Sequence, residues 1–200
     1  MINTQTSVNK RLNVRKMTVI GVLSAISIMM SMLPFIGYIP IGPIKATIMH
    51  IPVIIGAIIE GPVVGATIGL IFGLTSLWNA ITQPVILSPL FLNPLVSVLP
   101  RILIGIIAYY VYQGVYKLTK KVYASGFVAG LIGSLVNTVG VLGMIYVLYA
   151  EKYLILIEQQ GASAGNLLLG VAFTSGVPEA LVAALIVSAV SVALIRKGKK

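Results

Sequence analysis

The sequence predicts an all-α integral membrane protein of six transmembrane helices, with both termini cytoplasmic and long extracellular loops one, three and five. Three observations carry that prediction. The chain is 58% hydrophobic and only 9% charged, with a mean hydropathy of +1.05, far from the composition of a water-soluble domain. Apolar runs long enough to cross a bilayer recur along its 200 residues, and they are continuous, which argues against the period-two alternation of a membrane barrel. Finally, the net charge of +10 is confined to a few places. Eleven of the fourteen basic residues sit in three clusters at the ends of apolar runs. These are Lys10, Arg11, Arg15 and Lys16; Lys117, Lys120 and Lys121; and Arg196, Lys197, Lys199 and Lys200. The positive-inside rule places all three in the cytoplasm. Charge held at helix ends reads as membrane orientation, so no nucleic-acid partner is expected.

The first span is expected at about 17–33, uncleaved, since no A-x-A site follows it. The segment "PFIGYIPIGPIK" is rich in Pro and Gly and reads as a loop, 34–45. Span two, about 46–59, is short for a crossing of ~20 residues, so part of that loop is expected at membrane depth. "EGP" makes a tight turn into span three, 63–80. A second Pro-rich loop, 81–95, leads to span four, about 96–116, which ends at "KLTKK". Span five covers about 122–149. A long segment, 150–175, precedes span six, which ends at Ile195. Pro178 is either a kink or a first-turn residue, where its missing N–H is harmless. The second reading is preferred because 178–195 is long enough to span, and it leaves "AGNLLLGVAF" as a short helix over the outer face. The chain is expected to be one domain, 1–200, with a basic N-terminal segment, 1–16, and a basic tail, 196–200. Long outer loops and short inner ones put the irregular, functional structure on the outer face.

Polar residues inside apolar runs are the candidate site. Arg101 stands in "VSVLPRILIGIIAYYVY", about one turn from the outer end of span four. It either snorkels to headgroups or is a buried cation for an anionic ligand; burial of such a charge costs ~3 kcal/mol on insertion scales, and its planar fork suits a carboxylate. Glu179, near the outer start of span six, is its counterpart, or else an interfacial acid favoured by the helix dipole. Asn137 lies mid-span in the stripe Gly126, Gly130, Gly133, Asn137, Gly140, all on one helix face, where glycines permit close packing and an Asn meets a partner helix or ligand. Gly65, Gly69 and Gly73 form a similar stripe, read as packing. Trp78 and Asn79, in "SLWNA", offer an aromatic wall and an amide, although Trp78 also suits an interface anchor. Asn93, in "FLNP", is a further outer amide. His50 is the only histidine; it has no acidic residue or Cys at ligand spacing, so a packing or ligand-facing role is expected, not a metal.

Gly21 and Ala25, four apart in "GVLSA", with Ser24, Ser27 and Ser31 beside them, make a small-residue strip for helix packing or subunit docking. "GASAG" matches a nucleophile-elbow pattern by letters but lacks its strand–turn–helix context. With no cysteine, no phosphate-binding loop and no paired carboxylates, neither an enzyme nor a cofactor is indicated. A polar outer cluster in a small chain without an energy source reads as a membrane receptor powered by another subunit. An autonomous carrier is the alternative.

The stretches "RKMTVIGVLSAIS", "GYIPIGPIKATIMHIPVIIGAIIEGPVVGATIGLIFGLTSL", "NPLVSVLPRILIGIIA" and "SGVPEALVAALIV" resemble the substrate-binding (S) components of energy-coupling factor transporters, over nearly the whole chain. The second and third look most like the pantothenate branch. The resemblance implies a six-helix component of a prokaryotic cell membrane, binding a vitamin near the outer face. Its partners would be a transmembrane coupling subunit and two ATPases, and it would deliver the vitamin by toppling. Gly21 and Ala25 stand where the family has an Ala-x-x-x-Ala docking strip. Pantothenate is a carboxylate with hydroxyls and an amide. Arg101 answers the first, and Asn79, Asn93, Asn137 and Glu179 the rest; a neutral pyridoxine-like vitamin, the alternative ligand, would not need Arg101.

Overall fold

The computed structural model describes the backbone of residues 4–32, 38–41 and 44–197, and side chains from 14–32 and 48–195. Part of the first loop, the end of the tail and the side chains of Lys10, Arg11, Lys45, Arg196, Lys197, Lys199 and Lys200 lie outside the described residues. Helix α1 covers Thr4–Met32. Within the expected first loop, strands β1 (Tyr38–Ile41) and β2 (Ile44–Thr47) pair antiparallel, Tyr38 opposite Thr47 and Ile41 opposite Ile44. Span two therefore begins later than expected: α2 is Ile51–Glu60. Then come α3 (Pro62–Thr82), two single-turn helices α4 (Ser88–Phe91) and α5 (Pro94–Ser97), α6 (Leu99–Thr119) and α7 (Val122–Leu156). Helix α8 (Ala164–Val171) runs through a π-helical turn, Ala172–Gly176, into α9 (Val177–Lys197).

Five helical stretches among the described residues are long and apolar enough to cross a membrane: Val14–Met32, Pro62–Thr82, Pro94–Thr119, Val122–Leu156 and Ala164–Ile195. The sixth apolar helix, α2, has ten residues. At 1.5 Å per residue it is ~15 Å long, half of a bilayer's ~30 Å core. Its place explains how it is tolerated. Ile51 to Ile58 are all buried, and α2 packs against α1, α3, α6, α7 and α9. The other long helices form an arc, α1–α3–α6–α7–α9, with α2 filling its hollow. Irregular backbone at membrane depth is stable only where protein covers it, and Met49 and His50, just before α2, are buried.

Span six differs from the expected short helix over the outer face. Residues 164–195 form one continuous helical stretch, and Pro178 is the second residue of α9, just past the π turn. Proline cannot donate to the carbonyl four residues back, and a widened turn at that point is how a helix absorbs the lost bond. Helix α7 also outruns its expected end. It leaves helical geometry at Tyr149 (φ −143°, ψ 26°) and resumes to Leu156.

Helices α3 and α6 meet through glycine. A Cβ on Gly105 would lie 2.3 Å from the Gly65 carbonyl carbon, and one on Gly69 would lie 2.2 Å from the Arg101 carbonyl oxygen. No side chain fits there, so the two backbones touch. That contact sets the height of Arg101 against α3.

Candidate functional site

The bundle has two unlike ends. At one, the connections are short: the turn Glu60–Gly61–Pro62, where Gly61 takes φ +100°, and the Lys120–Lys121 link, where Lys120 is left-handed at φ 55°. Arg15 Nε pairs there with Glu60 Oε1 at 2.7 Å, tying α1 to the end of α2. At the opposite end lie the longer connections, and there a cavity of about 980 Å³ opens.

The lining of this cavity is drawn from α1, the turn just before α2, the end of α3, the loop after it, the start of α6, the middle of α7, the end of α8 and the π turn with α9. Five of the seven expected ligand residues are among the lining: His50, Asn79, Arg101, Asn137 and Glu179. Arg101 is 6% exposed, so it does not spread toward headgroups. Its Nη1 donates to the Val96 carbonyl at 2.7 Å. Its guanidinium carbon sits 5.7 Å from the ring centres of both Phe72 and Phe91, within reach of cation–π attraction. The Phe91 carbonyl in turn accepts a hydrogen bond from Ser97 Oγ, so the loop carrying α4 and α5 folds around the cation. Arg101 Nε has no hydrogen-bond partner.

Three other lining residues also hold buried polar atoms without partners: His50 Nε2, Asn79 Oδ1 and Asn137 Oδ1. An unpaired buried polar group costs ~1–3 kcal/mol. Four of them around one cavity is the pattern of a site completed by a ligand rather than by protein. Glu179 is buried as well, at 7% exposure, in the first turn of α9.

Two expected residues stand apart from the lining. Trp78 is 58% exposed on the outside of α3, a position that suits an interface anchor. Asn93 works within the protein. Its Oδ1 accepts the Leu95 N–H at 2.9 Å as the N-cap of α5, and its Nδ2 donates to the Tyr149 hydroxyl at 2.9 Å. It thereby fastens the loop to the kink in α7. The sequence reading did not anticipate Phe72, Phe91, Ser31 or Gln83 in the lining. An Asn before Pro at a helix start is a capping signal, which "FLNP" carries. No such signal marks Phe91, because only the fold brings it to Arg101. Among the described residues no group of His and acidic side chains could hold a metal.

On α1 the two neighbouring small-residue strips differ in exposure. Ser24 and Ser27 are buried, while Gly21 and Ala25 are exposed, and a Cβ on Gly21 would meet nothing within 4 Å. Met17, Val22, Ile26 and Met29 are exposed with them.

Comparison with known proteins follows the same lines. The family model for the ECF transporter, substrate-specific component, matches residues 15–193. The chain belongs to that family. A pantothenate transporter, PanT, of Leuconostoc mesenteroides subsp. mesenteroides is 38% identical over 125 residues, 58% of this chain and 61% of that protein. A pantothenic acid transporter, PanT, of Lactococcus lactis subsp. cremoris is 32% identical over 168 residues, 76% of this chain and 79% of that protein. The matched span of this substrate-specific component contains the α1 strip, the glycine seam and every residue of the cavity lining.

Proposed function

We propose that this chain captures pantothenate for an ATP-driven importer of the cell membrane. It binds the vitamin in the cavity at the end of the bundle remote from the basic clusters. The observation that carries the reading is Arg101, enclosed among Phe72, Phe91 and the Val96 carbonyl beside a cavity with unpaired polar atoms. A guanidinium kept in such surroundings is stabilised when a carboxylate joins it. The names of the two relatives support pantothenate as that carboxylate. Asn79, Asn137, His50 and Glu179 supply hydrogen-bonding groups for its hydroxyls and amide.

The chain crosses the membrane six times in this reading, α2 together with the segment before it making one crossing. Both termini and the Lys117–Lys121 cluster are cytoplasmic by the positive-inside rule, and the cavity opens outward. Gly21 and Ala25, bare on the outer side of α1, form the docking strip for a transmembrane coupling subunit that carries two ATPases. Reorientation of the whole component within the membrane then brings the cavity to the cytoplasm.

The test is direct. The chain, purified in detergent, is titrated with pantothenate by calorimetry and examined by native mass spectrometry for a co-purified small molecule. Saturable 1:1 binding is expected. No heat and no bound mass at millimolar pantothenate would overturn the assignment.

A further inference from the structure

Ser31 closes α1 near the mouth of the cavity, and its contacts with Asn79 are specific. Asn79 Nδ2 lies 2.7 Å from Ser31 Oγ and 3.2 Å from the Ser31 carbonyl oxygen. A backbone carbonyl only accepts, so the atom facing it must be the amide nitrogen. Turning the amide over would set two oxygens against each other. Asn79 Nδ2 thus faces both oxygens of Ser31. What remains of the amide is Oδ1, which is buried and has no partner. Ser31 and Asn79 both line the cavity. One turn earlier on the same helix face, Ser27 Oγ donates to the Met49 carbonyl at 3.0 Å, just before His50. The serine face of α1 is therefore anchored to the site at two points.

We propose that Ser31 is a positioning residue of the ligand site. By holding the amide nitrogen of Asn79 it presents Oδ1 to the ligand, so the ligand must bring a hydroxyl or an N–H to it. An acceptor-only ligand group, such as an ether or carboxylate oxygen, is rejected at that point. This rests on the pantothenate reading for the ligand, whose hydroxyls and amide N–H are the donors in question. Ser31 thus acts through Asn79, and does not itself read the ligand.

A double-mutant cycle tests this. Pantothenate is titrated into the parent, Ser31→Ala, Asn79→Ala and Ser31→Ala/Asn79→Ala chains, and the ligand-free thermal midpoint of each is recorded. Ser31→Ala is expected to weaken binding ~5-fold and Asn79→Ala ~10-fold, the scale of one neutral hydrogen bond lost with its partner left buried. The double variant should bind like Asn79→Ala alone, to within about twofold, since neighbours acting through one group are not additive. Equal loss from Ser31→Ala in both backgrounds would make Ser31 merely structural and overturn the proposal, as would parental affinity in Ser31→Ala. If Asn79→Ala does not fold, Asn79→Ser completes the same cycle. A parent chain that binds no pantothenate instead overturns the ligand assignment itself, and the donor requirement falls with it.

Discussion

Arg101 shows how a single side chain is made dependent on its neighbours. Its stem is set by the α3–α6 contact, its Nη1 is held by Val96, and two phenylalanine rings flank it. The cost of keeping this charge out of water is met in part by those contacts and, in the bound state proposed above, by the ligand carboxylate. Arg101→Ala is therefore expected to weaken pantothenate binding by on the order of 10²- to 10³-fold, or ~3–4 kcal/mol, within the range typical of truncating a buried charge pair. The alcohol analogue, in which the carboxylate is reduced, should lose far less. Calorimetry on both ligands checks this; equal losses for the two would mean that Arg101 does not meet the carboxylate. Arg101, His50, Asn79, Asn137 and Glu179 were legible in the sequence because a polar group in an apolar run carries a transfer cost that something must offset. Ser31 was legible only as a small residue, because a helical serine can satisfy itself on its own backbone. Its role depends on a residue 48 positions away.

At the scale of elements, the glycine stripes and the two faces of α1 make separate predictions. Gly105→Ala puts a methyl group 2.3 Å from a backbone carbon of Gly65. Neither helix can yield by rotating a side chain, so the seam must open. Overpacking of this kind costs ~1–3 kcal/mol, and the thermal midpoint should fall. Gly114 is on the same helix with nothing within 4 Å of its would-be Cβ; Gly114→Ala should be neutral or stabilising by up to ~1 kcal/mol through helix propensity. Equal midpoints for the two variants would remove the seam from the account. On α1, Gly21→Leu adds bulk to an exposed strip and should leave pantothenate affinity unchanged. It should abolish co-purification with the coupling subunit and ATPases, and with it uptake. Loss of binding in the isolated variant would instead place Gly21 in the protein's own packing. The "GVLSA" pattern showed that small residues were clustered; it did not show which of the two strips faced in.

For the whole molecule, the decisive quantity is orientation. The short turns at Glu60–Pro62 and Lys120–Lys121 lie at one end and the cavity at the other, and the outward-facing cavity proposed above rests on the positive-inside rule. The absence of cysteine from the chain gives a clean background for measuring this. Gln160→Cys, beyond the end of α7, should react with a membrane-impermeant maleimide in intact cells. Lys121→Cys, in the link between α6 and α7, should react only after permeabilisation; both positions are exposed on the protein surface. The reverse pattern would invert the proposed direction of transport.

Hydropathy and charge are properties of each residue and its near neighbours, and so the sequence alone determined the membrane environment, the long apolar helices, the basic clusters and a set of seven outliers that includes the five around the cavity. It also signalled that the second span, expected at about 46–59, was short for a crossing of ~20 residues. Only the tertiary structure decided that α2 sits inside an arc of five helices, that Asn93 serves a cap rather than the cavity lining, and that Phe72 and Phe91 flank Arg101. It likewise decided that Ser31 orients Asn79. The physical reason is that these are contacts between segments far apart in the chain. Their partners are chosen by how closely backbones can approach at Gly65, Gly69 and Gly105, and no local pattern of transfer energies encodes that choice.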